Sequence, residues 1–347
     1  SDIVQSSQRI VSRDHLPSFT EEPVEQGYLI DAWYKKSFWL YLLTPLTFLF
    51  TSLIKFRKKS YLNNSKKVWN SPIPIIVVGN ISMGGTGKTP LVKFIASELS
   101  KRGFKPGLIS RGYGGKFSST LEVTQENSHK ETGDEAQILA KLNLPFYIDK
   151  NRSRAARKLQ ENHDINVIIS DDGLQHYAMG RDIEIAVIDG VRRLGNGFAF
   201  PAGPLREPKS RLKEVDFIIN NGGPTEGDEI LMTLSPTKFV HLNSGKEYSV
   251  DKWPMHNQVH AVAGVGNPNR FFDLLSRLGF EFDKNPFPDH HKYNKRDLYY
   301  LDHLPILMTE KDAAKCKHFK NSKIWYLSIE SKIESQFIDM LEEKLND

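Results

Sequence analysis

The sequence predicts an α/β fold, a mostly parallel sheet covered by helices, with an apolar membrane-associated helix ahead of it. Three observations carry this. From Pro72 onward, short apolar runs alternate with helical stretches, the pattern of strands joined by crossover helices. The first of these runs, 75–78, leads directly into a glycine-rich turn that ends in Lys88-Thr89 and opens a helix. Upstream of both, residues 38–54 carry no charge.

Residues 1–27 are polar and aperiodic and are expected to be a loosely ordered extension. Residues 28–59 form the membrane-associated segment. Lys35 and Lys36 precede the apolar stretch, and Trp33, Trp39 and Tyr41 cluster at its front end. Lys55, Arg57, Lys58, Lys59, Lys66 and Lys67 follow with no acid between them. As a helix, 38–54 would be about 26 Å long, slightly short of a bilayer core of about 30 Å. Pro45 is expected to kink it, and Thr44, Thr47, Thr51 and Lys55 share one face. The pattern predicts a helix lying in or dipping into a membrane surface, held by aromatic and basic residues. A full span is the second option. A buried core helix is the third, weakened by the basic ends. A cleaved signal peptide is not expected, because the apolar run starts late and Lys-Phe-Arg-Lys-Lys follows it.

Strands are predicted at 75–78, 106–110, 146–148, 167–170, 183–188, 217–220, 259–263, 306–308 and 324–327. Helices are predicted at 88–102, 134–142, 151–161, 269–278 and 334–345, and 226–250 reads as a hairpin. The division that follows is a P-loop NTPase-like core over 60–225 and a smaller C-terminal α/β part over 226–347 that completes the site. Ligands on such sheets bind beyond the carboxyl ends of the strands.

The turn after the first strand contains Ser82, Met83, Gly84, Gly85, Thr86, Gly87, Lys88 and Thr89. Its backbone N–H groups would cradle phosphates, Lys88 would reach the outer ones, and the Thr89 hydroxyl could hold Mg²⁺. Two positions depart from common templates. Ser82 stands where the strict loop has glycine, and Met83 where the partition-ATPase variant has lysine. After 167–170 comes Asp171-Asp172-Gly173-Leu174-Gln175-His176. An apolar strand ending in two aspartates suits a Mg²⁺-holding element, since one direct carboxylate suffices for that ion. The rival reading is a turn cap. Asp134 opens a helix and is either its N-cap or a chemical group. Asp289, His290 and His291 form a titratable turn able to move a proton or to sit in solvent. Arg206 and Glu207 lie on a proline-stiffened loop suited to phosphate or metal contact, or to an exposed ion pair.

Composition narrows the classes. The chain has 347 residues, a net charge of +5 and a single cysteine, Cys316, so no internal disulfide can form and a reducing compartment is expected. The basic residues cluster beside an apolar helix and on no nucleic-acid reading element. Neither nucleic acid nor an obligate protein partner is expected.

Taken together, the turn at 79–89, Ser-Arg-Gly-Tyr-Gly-Gly at 110–115, Gly-Asp-Glu at 133–135, 171–176, Gly-Pro-Leu-Arg-Glu-Pro at 203–208, 264–272, Phe-Pro-Asp-His at 287–290 and Thr-Glu-Lys-Asp at 309–312 resemble the tetraacyldisaccharide 4′-kinase family. The resemblance runs from about residue 31 to the C-terminus. It implies an ATP- and Mg²⁺-dependent kinase acting on a lipid A disaccharide precursor at the cytoplasmic face of the inner membrane. It also implies Asp134 as the base that takes the hydroxyl proton, with His290 as its partner and Lys88 on the γ-phosphate. Thr89, Asp171, Asp172 and Glu207 would serve Mg²⁺, and Arg111, Tyr113, Gln175, His176, Arg206 and Asp289 would surround metal and substrate. The alternative class is a P-loop GTPase or metallochaperone, with histidines binding metal.

Overall fold

The structure, a computed structural model, describes residues 25–64 and 68–346. The strands are β1 (Ile75–Gly79), β2 (Pro106–Ser110), β3 (Leu121–Glu122), β4 (Phe146–Ile148), β5 (Val167–Asp171), β6 (Ile183–Asp189), β7 (Phe217–Asn221), β8 (Ile230–His241), β9 (Glu247–Ser249), β10 (Gln258–Ala263), β11 (Glu281–Pro286), β12 (Ile306–Thr309) and β13 (Ile324–Ile333). They form one 13-stranded sheet in the order β11-β10-β12-β13-β8-β7-β6-β1-β5-β2-β4-β3, with β9 paired to β8. Neighbours run parallel except at β13/β8, β3/β4 and β8/β9. The helices are α1 (Glu25–Lys35), α2 (Thr44–Leu62), α3 (Lys88–Lys101), α4 (His129–Thr132), α5 (Asp134–Ala140), α6 (Arg152–Asn162), α7 (Pro268–Arg277), α8 (Glu310–Cys316) and α9 (Ser335–Asn346).

The apolar runs are continuous because parallel strands bury both faces. Ile76 and Val78 of β1 join one core with Leu91, Ile95 and Leu99 of α3, while Ile75 and Val77 join another with Ala155, Ala156 and Leu159 of α6. Beyond β8 a third core gathers Phe239, Phe271, Phe272, Leu307 and Trp325. The chain after residue 226 does not stay together. On α9, Phe337, Ile338 and Leu341 return to the first core, and Arg102 pairs with Asp339 and Glu342.

The N-terminal segment differs from expectation in three ways. The described chain is already helical at Glu25, inside the stretch expected to be a loose extension; residues 1–24, Lys66 and Lys67 lie outside the described residues. Pro45 does not kink a helix. It occupies the first turn of α2, after a 3₁₀ turn at Phe38–Leu43, where a missing N–H costs nothing. Lys55, Arg57, Lys58 and Lys59 lie within α2, which continues to Leu62. The run Phe38–Leu62 is long and apolar enough to cross a membrane by length and composition. Phe38, Leu42 and Phe48 are more than three-quarters exposed, and Leu46, Leu49, Leu53 and Phe56 are exposed as well. Only Thr47 of α2 is buried.

Candidate active site

The site forms where the strand ends of β1, β5 and β6 meet the loops of the second half. β1 stops at Gly79, whose Cβ would meet Leu174 Cγ at 2.6 Å, so the turn starts on a residue with no side chain. Gly87 is the N-cap of α3 at φ 95°, and a Cβ there would meet Asn221 Nδ2 at 2.2 Å. That position needs glycine twice, for its left-handed backbone and for the close approach. Asn80 Nδ2 donates to Thr86 Oγ1 (3.1 Å), and Asn221 Nδ2 donates to Thr86 O (2.9 Å), which holds the turn open from both sides. Gly85, Thr86, Gly87, Lys88, Thr89, Asp189, Asn221, Gly266 and Arg270 line a cavity of about 260 Å³. Ser82, Met83 and Gly84 do not line it. Ser82 bridges to Leu205, and Met83 donates its N–H to Pro204 O (2.8 Å) while its side chain packs on the cluster of Ala32, Trp33 and Leu40.

Asp171 ends β5 beside Val78 of β1 and is buried, and its Oδ1 has no partner. Burial, then the charge of Glu135, pushes its carboxyl up to about 7 against the pull of Lys88. Ser170 Oγ and Asn80 Oδ1 are also buried and unpartnered. The buried, orphaned Asp171 carboxylate fits Mg²⁺, which takes few protein ligands. Among the described residues no group of three or more His, Cys, Asp or Glu is arranged to hold a metal ion. Asp172 turns through φ 53° and faces cations, with Lys88 Nζ at 3.6 Å and Arg206 Nη1 at 3.3 Å. Its carboxyl is raised by burial, but Lys88, Arg206 and Arg152 bring it below the usual range.

Glu207 is 1% exposed and already occupied. It accepts from Gln175 Nε2 (2.8 Å) and from Tyr177 Oη, and Arg211 Nε lies at 3.6 Å. Gln175 also donates to Asn80 O (2.9 Å). Glu207 therefore braces Gln175 and Tyr177 more readily than it offers a free oxygen. Burial, followed by Arg152, Arg181, Arg57 and Arg111, lowers the His176 imidazole to about 4, so it is neutral near pH 7, and its Nε2 is unpartnered.

Asp134 is not an N-cap. Gly133 holds that position at φ 91°, and Asp134 sits in the first turn of α5 with its side chain 12% exposed. His290 Nδ1 stands 3.6 Å from Asp134 Oδ2 and Nε2 stands 3.9 Å from Asp289 Oδ2, with the Tyr113 ring against the imidazole at 5.2 Å. Burial raises the Asp134 carboxyl, but the His290 contact and the charges of Lys315, Lys311 and His129 leave it below the ordinary value. Tyr113, His129, Asp134, Asp289 and His290 line a second, larger cavity of about 660 Å³. Asp289 borders both cavities, so the two meet there, next to His290, while Asp134 and His290 line the larger one. His291 also lines the larger cavity and pairs with Asp297 (2.9 Å). Arg111 is exposed at the end of β2.

Several site residues escaped the sequence reading. Arg270 Nη2 donates to Asn221 Oδ1 (2.9 Å), and Lys311 Nζ lies 3.2 Å from Asp289 Oδ1 and 3.7 Å from Glu135. Buried Arg152 donates to Asp172 O (2.9 Å). The motifs of Arg270 and Lys311 at 264–272 and 309–312 were visible, but nothing in the spacing shows that α7 and α8 face the P-loop.

A family model described as LpxK, tetraacyldisaccharide-1-P 4′-kinase, matches residues 39–346. The tetraacyldisaccharide 4′-kinase of Legionella pneumophila (strain Corby) is 47% identical over 307 residues, covering 88% of this chain and 93% of that protein. That of Methylobacillus flagellatus is 45% identical over 304 residues, covering 87% and 91%. A crystal structure described as the "apo" form of LpxK from Aquifex aeolicus in complex with ATP matches with a TM-score of 0.75 at 25% identity, over 88% of this chain and 99% of that one.

Proposed function

The chain belongs to the tetraacyldisaccharide 4′-kinase family, and from that premise we propose how its own side chains serve the reaction. It is a lipid A pathway kinase that moves the γ-phosphate of ATP to the 4′-hydroxyl of a tetraacylated glucosamine disaccharide 1-phosphate. One observation carries the assignment of roles. The P-loop cavity and the larger cavity meet at Asp289, next to His290, and Asp134 and His290 line the larger one.

ATP enters the smaller cavity, its phosphates on the backbone of Gly85, Thr86 and Gly87 and its γ-phosphate against Lys88. Lys88 and Arg206 are held ready by Asp172, 3.6 and 3.3 Å away. Thr89 and Asp171 would hold Mg²⁺, with Asp172 next to Asp171 in the chain and Glu207 fixing Gln175. When bound, that ion neutralises phosphate charge and orients the transferring group. The acceptor's sugar enters the larger cavity. Asp134, kept ionised near pH 7, takes the hydroxyl proton while His290 orients it, and the freed alkoxide attacks phosphorus as the bond to ADP breaks. His176 and Arg111 line neither cavity.

The exposed face of α2 enters the membrane surface, and Lys55, Arg57 and Lys59 meet anionic lipid at the cytoplasmic face of the inner membrane. An acyl-bearing acceptor stays in the bilayer, so its head group is presented where α2 docks. Incubation with γ-labelled ATP and a lipid A precursor tests the function: label moves to the lipid, and labelled inorganic phosphate alone refutes the transfer. For the base, Asp134→Ala abolishes single-turnover transfer while ATP affinity stays near wild type; near-normal turnover excludes it.

A further inference from the structure

Lys315 is 3% exposed and lines the acceptor cavity, yet the scheme above gives it no part. A buried ammonium is costly unless it is paired, so its partners report what it is there for. Nζ donates to Asp312 Oδ1 at 3.1 Å and to Gly264 O at 3.3 Å, and stands 3.8 Å from Asp134 Oδ2. Asp312 is fully buried and is itself immobilised. Its Oδ2 accepts from Thr309 Oγ1 (2.6 Å) and from Gly264 N (2.9 Å). Thr309 caps α8, and Asp312 and Lys315 are three apart on that helix, so they share a face. The Tyr293 ring lies 5.7 Å from the ammonium. Asp312 thus fixes the lysine from behind, and the ammonium's remaining side is turned to Asp134.

We propose that Lys315, braced by Asp312, is the positioning residue for Asp134, aiming its carboxylate into the acceptor cavity and keeping it ionised while His290 engages the acceptor. The proposal rests on the reading of Asp134 as the base. The other charged or titratable groups around Asp134 include His290, Lys311, His129 and the buried Cys316 thiol of α8, with Glu135 next to it on α5. His290 is 39% exposed at its side chain and lies on the acceptor-facing turn, where substrate contact can draw it away. Lys311 is shared with Asp289 and Glu135. Lys315 is the cation that remains in a fixed place.

The test is the pH dependence of kcat for label transfer, whose acidic limb reports the base in the substrate complex. In Lys315→Met that limb moves upward by about one pH unit, because an opposite charge at this range lowers a carboxyl by about 1–3 units. Lys315→Arg restores most of the shift, and ATP affinity is unchanged in both. If Lys315→Met fails to fold because Asp312 is left buried and uncompensated, Asp312→Asn/Lys315→Met removes both charges and shows the same shift. A limb that stays at the wild-type pH in a folded variant overturns the proposal. Asp134→Asn separates the two readings. Near-normal turnover there removes the base assignment and this inference with it. Lost turnover with an unmoved limb in Lys315→Met removes this inference alone.

Discussion

Asp171 is a carboxylate that the strand geometry leaves in a costly place. It closes β5 in the middle of the sheet, with β1 and β2 on either side, and its Oδ1 has no protein partner. Such a group is tolerated because something outside the chain completes it. Replacement by asparagine keeps the shape and removes the charge. Asp171→Asn is therefore expected to hold or raise the thermal midpoint, since a buried charge disappears, while the Mg²⁺ concentration for half-maximal transfer rises by at least about tenfold. A Mg²⁺ titration of label transfer reads the second effect, and an unchanged titration removes the metal role. Lys88, Thr89, Asp134 and Asp171 were all legible in the sequence, because each stands at a strand end or helix start where local pattern predicts a site. Asn221 and Arg270 were not. Asn221 meets Thr86 across 135 positions and Arg270 meets Asn221 across 49, and only the folded sheet brings them together. Met83 fell within the legible turn but packs on Trp33 and Leu40, since a helix upstream covers that side of the loop.

The same helical segment decides what can be learned about the membrane. Thr47 Oγ1 donates to Ala199 O (3.1 Å) and accepts from Ala202 N (3.0 Å), and Trp33 Nε1 donates to Pro201 O (3.0 Å). The loop so held leads into Arg206, whose N–H donates to Ile81 O (2.6 Å). α1 and α2 are thus part of the site's support as well as the segment proposed to anchor the protein, and deleting residues 1–59 would confuse the two roles. Point changes separate them. Thr47→Val leaves the Ala202 N–H unpaired, while Ala199 O keeps its bond from Gly203 N (3.0 Å), at a cost of about 1–3 kcal/mol. It should lower the melting temperature and turnover, with vesicle binding intact. Phe48→Asp/Leu53→Asp alters only exposed positions, at 76% and 60% exposure, and should abolish flotation with anionic vesicles while the fold and ATP binding survive. Undiminished flotation of that variant would show that the helix is not the main anchor. The shared face of Thr44, Thr47 and Thr51 was readable from spacing, but its partner loop was not. The missed elements were those with weak apolar signals. β11 is a polar edge strand, β3 has two residues, and α8 has seven. Each is stabilised by neighbours more than by its own pattern.

At the scale of the molecule, one sheet carries two groups of strands that meet at the antiparallel pair β8/β13. The alternation of strands and helices predicted a parallel sheet. It could not predict that the chain would reverse at β8 and send α9 back to the first core, because that depends on which apolar faces remain uncovered. The nucleotide cavity straddles the two groups, with the P-loop on one side and Val265, Gly266 and Arg270 on the other. Arg270, Asn221 and Thr86 form a hydrogen-bonded tie between them. A ligand that binds only the folded, assembled cleft stabilises it by mass action, about 2.7 kcal/mol at a hundredfold excess over Kd. ATP should therefore raise the thermal midpoint and slow amide exchange at 85–89 and at 264–270 together, since both segments wall the same cavity. In Arg270→Ala the tie is cut, so ATP should still slow exchange at the P-loop but lose most of its effect at 264–270, and the thermal gain should shrink. Equal protection of both segments in that variant would mean that the nucleotide itself, without Arg270, joins the two groups of strands.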